Sequence, residues 1–491
     1  MKKVLAFDFG ASSGRAILGT FDNGKITLEE LHRFSNDPVE VNGHFYWDIL
    51  RLFFEIKQGI LKCSAAGHKD IAAIGIDTWG VDFALIDADG ELLANPYHYR
   101  DAKIENMNET IAQLGKENIY NKTGLQFLAF NTLYQLRNLK ENKPALLDRA
   151  EHLLLIPDFF NYLLTGKMAA EYSNVSTTQL LNPVKGQWEF SLTDALGIDR
   201  KIFKDIVDSG TVLGTLKPEL AKELQMPEVP VICVASHDTG SAVASVPFDD
   251  PATSLYISCG TWSLMGTELK KPLINETAMS FNFTNEGGVD RTSRFLSNIM
   301  GLWLIQESRR QWKREGLDYS FNDMENAAKQ STPFESFVNP DFAGFTPPGD
   351  MPGRIKEFCA DAGIKVPETM GDVVLCIYQS LALKYRYVTE SMEEMLGTKI
   401  DTIHMVGGGI KDKFLCQMTA DATGRRVVAG PVEATAMGNI AVQLMALGEI
   451  KGLEGVREVI KASAETAIYT PSGDAGWDTA YATFKEKCLG K

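Results

Sequence analysis

The chain has 491 residues, 44% of them hydrophobic and 23% charged, and carries a formal net charge of −15. That length exceeds one ordinary core, so two or three domains are expected, and the composition is that of an ordered globular protein. The acidity argues against a nucleic-acid or anionic-membrane partner, since both need basic patches. It admits an anionic nucleotide only where local positive charge, backbone dipoles or a metal ion offset it.

Met1-Lys2-Lys3 and the apolar run at 4–7 imitate a signal peptide, but Asp8 breaks the run far too early. No apolar stretch reaches membrane-spanning length, and a cytoplasmic protein is expected. Residues 1–35 read as strands with turns at 11–14 and at Asp22-Asn23-Gly24, the latter a good hairpin signal. Residues 50–66 have helical spacing, 71–77 read as a short buried strand, and 78–87 run into a hairpin closed by Asp89-Gly90. Residues 103–165 read as largely helical and end at Thr165-Gly166. Residues 230–235 form another buried strand, with Asp238 at the loop that follows.

The second half repeats this grammar. A hairpin covers 254–268 and helices cover roughly 301–330 and 371–396. A strand at 403–406 ends in Gly407, Gly408 and Gly409, and a helix over 413–423 closes at Gly424. Residues 347–353, rich in Pro and Gly, read as a surface loop. Strands alternating with helices mean an α/β protein. The Pro/Asp-rich stretch 247–251 marks a boundary between domains 1–246 and 247–491, with the last helix free to pack back on the first domain. Seven cysteines, at 63, 233, 259, 359, 376, 416 and 488, show neither Cys-x-x-Cys nor zinc spacing, so reduced thiols are expected.

One pattern occurs twice, about 250 residues apart: residues 4–19 and 254–266 each offer an apolar run, a glycine, a hydroxyl at the turn and a second run ending in glycine. Turns of Gly, Ser and Thr let backbone N–H groups point at an anion. Two such hairpins suggest a duplicated domain with two phosphate-holding loops facing one cleft. Asp8, at a strand end beside the first turn, is placed to hold Mg²⁺ through water; the plain alternative is a turn-capping carboxylate. Gly10 to Arg15 is short of Walker A, because no Gly-Lys-Ser/Thr follows. Thr261, with Gly260, is its counterpart, and either hairpin could be an ordinary turn.

Ser236-His237-Asp238-Thr239 follows a buried strand and opens a helix of small residues. Asp238 reads equally as a helix N-cap or as a general base beside an acceptor hydroxyl. His237 either binds substrate or is a satisfied loop histidine. A Ser/His/Asp triad is a poor reading, since residues adjacent in a chain point apart. Gly407, Gly408 and Gly409 would admit a phosphate or flat ligand, or form a simple tight turn. Asn439 could line the same pocket or pack within its helix. Asp77-Thr78-Trp79-Gly80-Val81-Asp82 offers carboxylates and an indole suited to a sugar, or a hairpin with Trp79 in the core.

The stretches Asp8-Phe9-Gly10-Ala11-Ser12-Ser13-Gly14-Arg15, Gly75-Ile76-Asp77-Thr78-Trp79-Gly80-Val81-Asp82-Phe83, Asn131-Thr132-Leu133-Tyr134-Gln135-Leu136, Ala235-Ser236-His237-Asp238-Thr239, Ser258-Cys259-Gly260-Thr261-Trp262-Ser263-Leu264-Met265-Gly266, Asn298-Ile299-Met300-Gly301-Leu302-Trp303-Leu304 and Gly430-Pro431-Val432-Glu433-Ala434-Thr435 are together highly specific. In them, and along nearly its whole length, the chain resembles the carbohydrate kinases named for a Phe-Gly-Gly-Tyr signature. Those belong to the superfamily of sugar kinases, heat-shock proteins and actin. The resemblance implies two duplicated ribonuclease-H-like (actin-like ATPase) domains with the active site in a cleft between them. It implies ATP-dependent phosphorylation of L-rhamnulose at its 1-hydroxyl, with L-fuculose or a pentulose as alternatives. Asp238 would be the base and Asp8 would place Mg²⁺. Ala11, Ser12, Ser13, Gly14, Arg15 and Thr261 would face ATP phosphates. Gly80, His237, Thr239 and Asn298 would contact the sugar, and Gln306 with Gly407, Gly408 and Gly409 the nucleotide.

Many relatives carry Lys-x-x-Trp in the helical region after residue 120, where this chain reads Asn131 to Leu136; that departure fits members acting on L-rhamnulose. No role falls to Cys259. The implied partners are a sugar and ATP, with no nucleic acid or membrane, in a monomer or homodimer. The reading from another class is a nucleotide-driven binding protein on the same scaffold, because fold does not fix function. Asp238 and the Trp79 hairpin favour the kinase.

Overall fold

Val4, Leu5, Ala6 and Phe7 are all fully buried, so the first apolar run forms a strand covered on both faces, as parallel sheets require. The computed structural model describes residues 1–101 and 106–490. Of the stretch expected to be helical over 103–165, residues 103–105 lie outside the described residues. The chain divides into two compact units. The first is Met1–Pro247 with Glu268–Leu296 and Glu433–Ala464; the second is Phe248–Thr267 with Ser297–Val432 and Glu465–Lys491.

In the first unit a sheet runs in the order Thr211–Thr215, Pro230–Cys233, Ile74–Asp77, Lys2–Phe9, Ser13–Asp22, Lys25–Ser35. The three central strands are parallel and the outer pairs antiparallel. Helix Ile49–Ala65 packs on one face, where a Cβ at Gly59 would come within 2.6 Å of the Phe7 ring. On the other face Val4, Ala6 and Ile17 share a core with Ile440, Ala441 and Leu444 of helix Ala434–Ala446. A Cβ on Gly438 of that helix would stand 1.8 Å from the Ser241 carbonyl oxygen in helix Asp238–Ala244. Glycine is therefore what lets the two helices approach.

The second unit repeats the pairing pattern. Hairpin strands Ser254–Cys259 and Trp262–Leu269 are antiparallel. Ser254–Cys259 then pairs in parallel with Thr402–Val406, that strand in parallel with Arg426–Ala429, and the last antiparallel with Ala467–Tyr469. Helix Met370–Leu396 starts from a capping box of Thr369 and Asp372 and stops at Gly397, whose φ is 65°. Helices Trp303–Arg314, Phe321–Ala328 and Lys413–Thr423 stand where spacing placed them.

Three local expectations are corrected. The strand expected over 71–77 is ordered as Ile74–Asp77 alone. Phe83–Ile86, although followed by the expected turn with Asp87 N–H donating to Glu91 (3.0 Å), finds its strand partner in His152–Leu155, inside the stretch read as helical. Residues 351–353 are not loop: helix Met351–Asp361 begins there, with Pro352 in its first turn and Asp350 accepting from the Gly353 N–H. Proline suits a first helical turn, which needs no N–H donor.

The contact at Gly438 has a testable cost. Gly438→Ala forces a methyl into the Ser241 carbonyl, and should destabilise by about 1–3 kcal/mol, the usual cost of overpacking. A urea midpoint unchanged from the parent would show that the two helices can part freely.

Candidate functional site

Register assembles the site in the first unit. Asp8 pairs with Asp77 across the parallel strands, and Thr78 bridges to His237. Thr78 N–H donates to the Ser236 carbonyl (2.9 Å) and Asp238 N–H to the Thr78 carbonyl (2.8 Å). Three neighbouring strands thus deliver Asp8, Asp77 and Asp238 to their carboxyl ends, the usual place for a ligand in an α/β sheet.

The three carboxylates differ in surroundings. Asp77 is fully buried, and Asn439 Nδ2 donates to its Oδ2 at 2.5 Å, while Oδ1 is buried without a hydrogen-bond partner. Burial and then the Asp8 charge push the Asp77 carboxyl well above the usual range, against the Asn439 hydrogen bond. Asp8 accepts from Arg15 at 2.5 Å, and Arg15 also donates to Glu433. Burial works against the Arg15 charge, but the two carboxylates hold its pKa above the ordinary value. Asp238 keeps 27% of its side chain exposed. Thr239 donates to its Oδ1 through N–H (2.5 Å) and hydroxyl (3.1 Å). Desolvation still raises the Asp238 carboxyl, opposed by His237 and reinforced by Asp8.

His237 lies beside Asp238, Nε2 at 3.4 Å from its Oδ1. Arg294, fully buried, donates to its Nδ1 at 3.1 Å, and Glu286 Oε2 lies 3.2 Å from that guanidinium. The first turn is tied by Gly10 N–H to the Ser13 carbonyl (2.9 Å) and by Asn36, which donates to the carbonyls of Gly10 and Ser12. Gly14 packs on Phe34, Ser12 is exposed, and Ala11, Ser13 and Arg15 are half-buried. Gly80 is buried, and a Cβ there would reach within 2.7 Å of Thr177. Trp79 is a core residue: it stacks on Trp47 at 3.8 Å, and both indoles donate to Asp82, at 3.0 and 2.6 Å. Asn439, also fully buried, spends its amide on Asp77 and the Gly75 carbonyl rather than lining a nucleotide pocket.

In the second unit Thr261 donates to Gln306 Oε1 at 3.2 Å. Gly407 has φ 90°, and a Cβ on Gly409 would strike Cys259 Sγ at 2.4 Å, so chain geometry and packing account for these two. Gly408 has open space where its Cβ would be, which leaves backbone accessible beside the strand end. Asn298 is half-buried on strand Ser293–Met300. The structure therefore groups Asp8, Arg15, His237, Asp238 and Thr239 in one unit. Thr261, Gln306, Asn298, Gly407, Gly408 and Gly409 belong to the other.

Among the described residues no three His, Cys, Asp or Glu side chains form a metal-holding group. A hydrated ion that needs one or two protein carboxylates is the kind that suits Asp8, since the unpartnered Oδ1 of Asp77 is itself buried. Sequence reasoning missed Glu171, Glu286 and Arg294. A charged residue in a run of small and apolar neighbours was their only signal.

The N-terminal domain model of the FGGY family of carbohydrate kinases matches residues 3–244, and its C-terminal domain model matches 255–447. A rhamnulokinase of Bacteroides thetaiotaomicron is 45% identical over 485 residues, 99% of either chain. One of Bacillus subtilis is 39% identical over 99% of this chain and 98% of its own. The ligand-bound xylulose kinase from Lactobacillus acidophilus shares the fold, with TM-score 0.82 at 17% identity over 99% of this chain and 97% of that one. With both domain models matched in order along a duplicated pair of sheets, the chain belongs to the FGGY family of carbohydrate kinases.

Proposed function

We propose that this ATP-dependent sugar kinase phosphorylates L-rhamnulose at its 1-hydroxyl, as a step of L-rhamnose breakdown, with Asp238 as general base. The sugar assignment rests on the relatives named rhamnulokinase, which match end to end. The base assignment rests on one observation. Of the three strand-end carboxylates, Asp77 is sealed in and bonded to Asn439, and Asp8 is held by Arg15; Asp238 alone keeps over a quarter of its side chain accessible.

Asp238 accepts the hydroxyl proton as the oxygen attacks the terminal phosphorus of ATP and ADP leaves. His237, Thr239, Asn298 and the Gly80 backbone hold the sugar. The N–H groups of the Ala11-Ser12-Ser13-Gly14 turn, with Arg15 and Thr261, face the phosphates, where oriented backbone dipoles spread negative charge. Gln306 and the Gly407-Gly408-Gly409 backbone contact the nucleotide. Asp8 would hold Mg²⁺ through water. The ion, when bound, supplies charge neutralisation at the phosphates. Seven unpaired, buried cysteines among the described residues accord with a cytoplasmic enzyme.

Asp238→Asn should lower kcat by roughly 10²–10⁴-fold, the worth of a general base, with little change in the KM for ATP. Near-parental turnover would remove Asp238 from that role. Because the base must be ionised and desolvation raises its pKa, kcat/KM should fall as the medium is acidified. The acid limb should lie above the ordinary carboxylate range, and a limb at or below the free-aspartate value would contradict the burial described. ADP release with Mg-ATP across L-rhamnulose, L-fuculose, L-xylulose, L-ribulose, D-xylulose and glycerol should show a strong preference for L-rhamnulose. Preference for another sugar moves the error to the pocket, and silence with all of them defeats the kinase assignment to these substrates.

A further inference from the structure

A carboxylate that the reaction never touches sits directly behind the base. Glu171 is fully buried and precedes the short helix Tyr172–Val175. Its Oε2 accepts from Ser173 N–H (3.0 Å), Ser173 hydroxyl (2.5 Å), Asn174 N–H (3.2 Å), Ser236 N–H (3.1 Å) and Ser236 hydroxyl (2.7 Å). Its Oε1 accepts from the Ser209 hydroxyl at 2.7 Å. Three of these partners are backbone N–H groups and three are hydroxyls, and hydrogen bonds of this kind to a carboxylate are the strong ones. The neighbouring carboxyl, Asp158, accepts from Glu171 N–H at 3.2 Å. Burial and the Glu171 charge push the Asp158 carboxyl well up.

The bonds around Glu171 reach the site by two routes. Ser236 precedes His237-Asp238, and Ser173 Oγ, while donating to Glu171, accepts from His237 N–H at 3.1 Å. Asn174 Nδ2 lies 3.3 Å from both the Trp79 and the Ser236 carbonyls, so the turn that carries Gly80 is tied to the same hub. The non-glycine Val81 beside it has φ 68° and is held there by Thr177, whose hydroxyl accepts from Val81 N–H at 2.9 Å. A strained backbone of this kind persists only where its surroundings over-determine it.

We propose that Glu171 is a positioning residue for phosphoryl transfer: its buried carboxylate fixes Ser236-His237-Asp238 against the Trp79-Gly80 turn, so that base and sugar-holding backbone keep one register. The proposal rests on the reading of Asp238 as base. The full-length enzyme is assayed as Glu171→Gln, Ser236→Ala, Ser209→Ala and Asp238→Asn, with kcat, both KM values and urea midpoints. Misplacement of a reacting group by an ångström can cost a hundredfold, so Glu171→Gln should lose about tenfold to a hundredfold in kcat and raise the sugar KM, with the ATP KM unchanged. Ser236→Ala should move kcat in the same direction. Ser209→Ala removes a bond to the same carboxylate but none to the 236–238 segment, and should cost stability while kcat stays near the parent value.

Parental kcat in a folded Glu171→Gln overturns the proposal. So does a Ser209→Ala loss in kcat equal to that of Ser236→Ala, which would make the carboxylate a general anchor of the fold. If Glu171→Gln does not fold, the two serine variants decide. Parental turnover in Asp238→Asn defeats the base reading instead; a loss there beside an unaffected Glu171→Gln defeats only the positioning role.

Discussion

Parallel register forces like charges together, and much of the first unit is arranged around that. Asp8 and Asp77 are aligned by the pairing of their strands, and Asp238 follows one strand over. Two carboxylates on one site raise each other's pKa, and burial raises it further. The chain answers with a different device for each: a guanidinium for Asp8, an amide for Asp77, and a helix N-terminus with a threonine hydroxyl for Asp238. The outcome is a graded set. One carboxylate is paired with a cation, one is sealed against an amide, and one is left partly open.

The same logic appears one layer deeper. Glu171 and Asp158 are again neighbouring buried acids, and here the difference lies in their donors: five hydrogen bonds reach Glu171 Oε2, whereas Asp158 accepts from the Glu171 N–H. Arg294, without exposure, does comparable work on His237 from the other side, with Glu286 beside it.

How much of this was legible in the chain follows from range. The hairpins, the glycine stops and the strand at 403–406 depend on local periodicity and turn chemistry, and they appear where the sequence places them. The partner of Phe83–Ile86 was not legible, because its pairing with His152–Leu155 is set by tertiary contact. The helix start at Met351 was hidden because Pro and Gly were read as loop where Pro was a first-turn residue. At the site, Asp8 and Asp238 announced themselves by position at strand ends. Trp79 was undecided on sequence because an indole suits a sugar and a core equally; its bond to Asp82 decides for the core. The network around Glu171 was not legible, since its donors come from 173–174, 209 and 236.

The Asn439–Asp77 bond joins residues 362 positions apart in the chain. Glu433, which braces Arg15, and Ile440, which fills the space over Gly19, come from the same late segment. During synthesis from the N-terminus the strands of the first sheet therefore emerge long before the helix that covers one of their faces. A nascent chain of about half length carries an uncovered apolar sheet, the kind of exposed surface that invites aggregation. Closing contacts over such separations also slows folding. The segment Glu433–Ala464 thus makes completion of the first unit wait on residues made long after its sheet, the Asp77 amide partner among them.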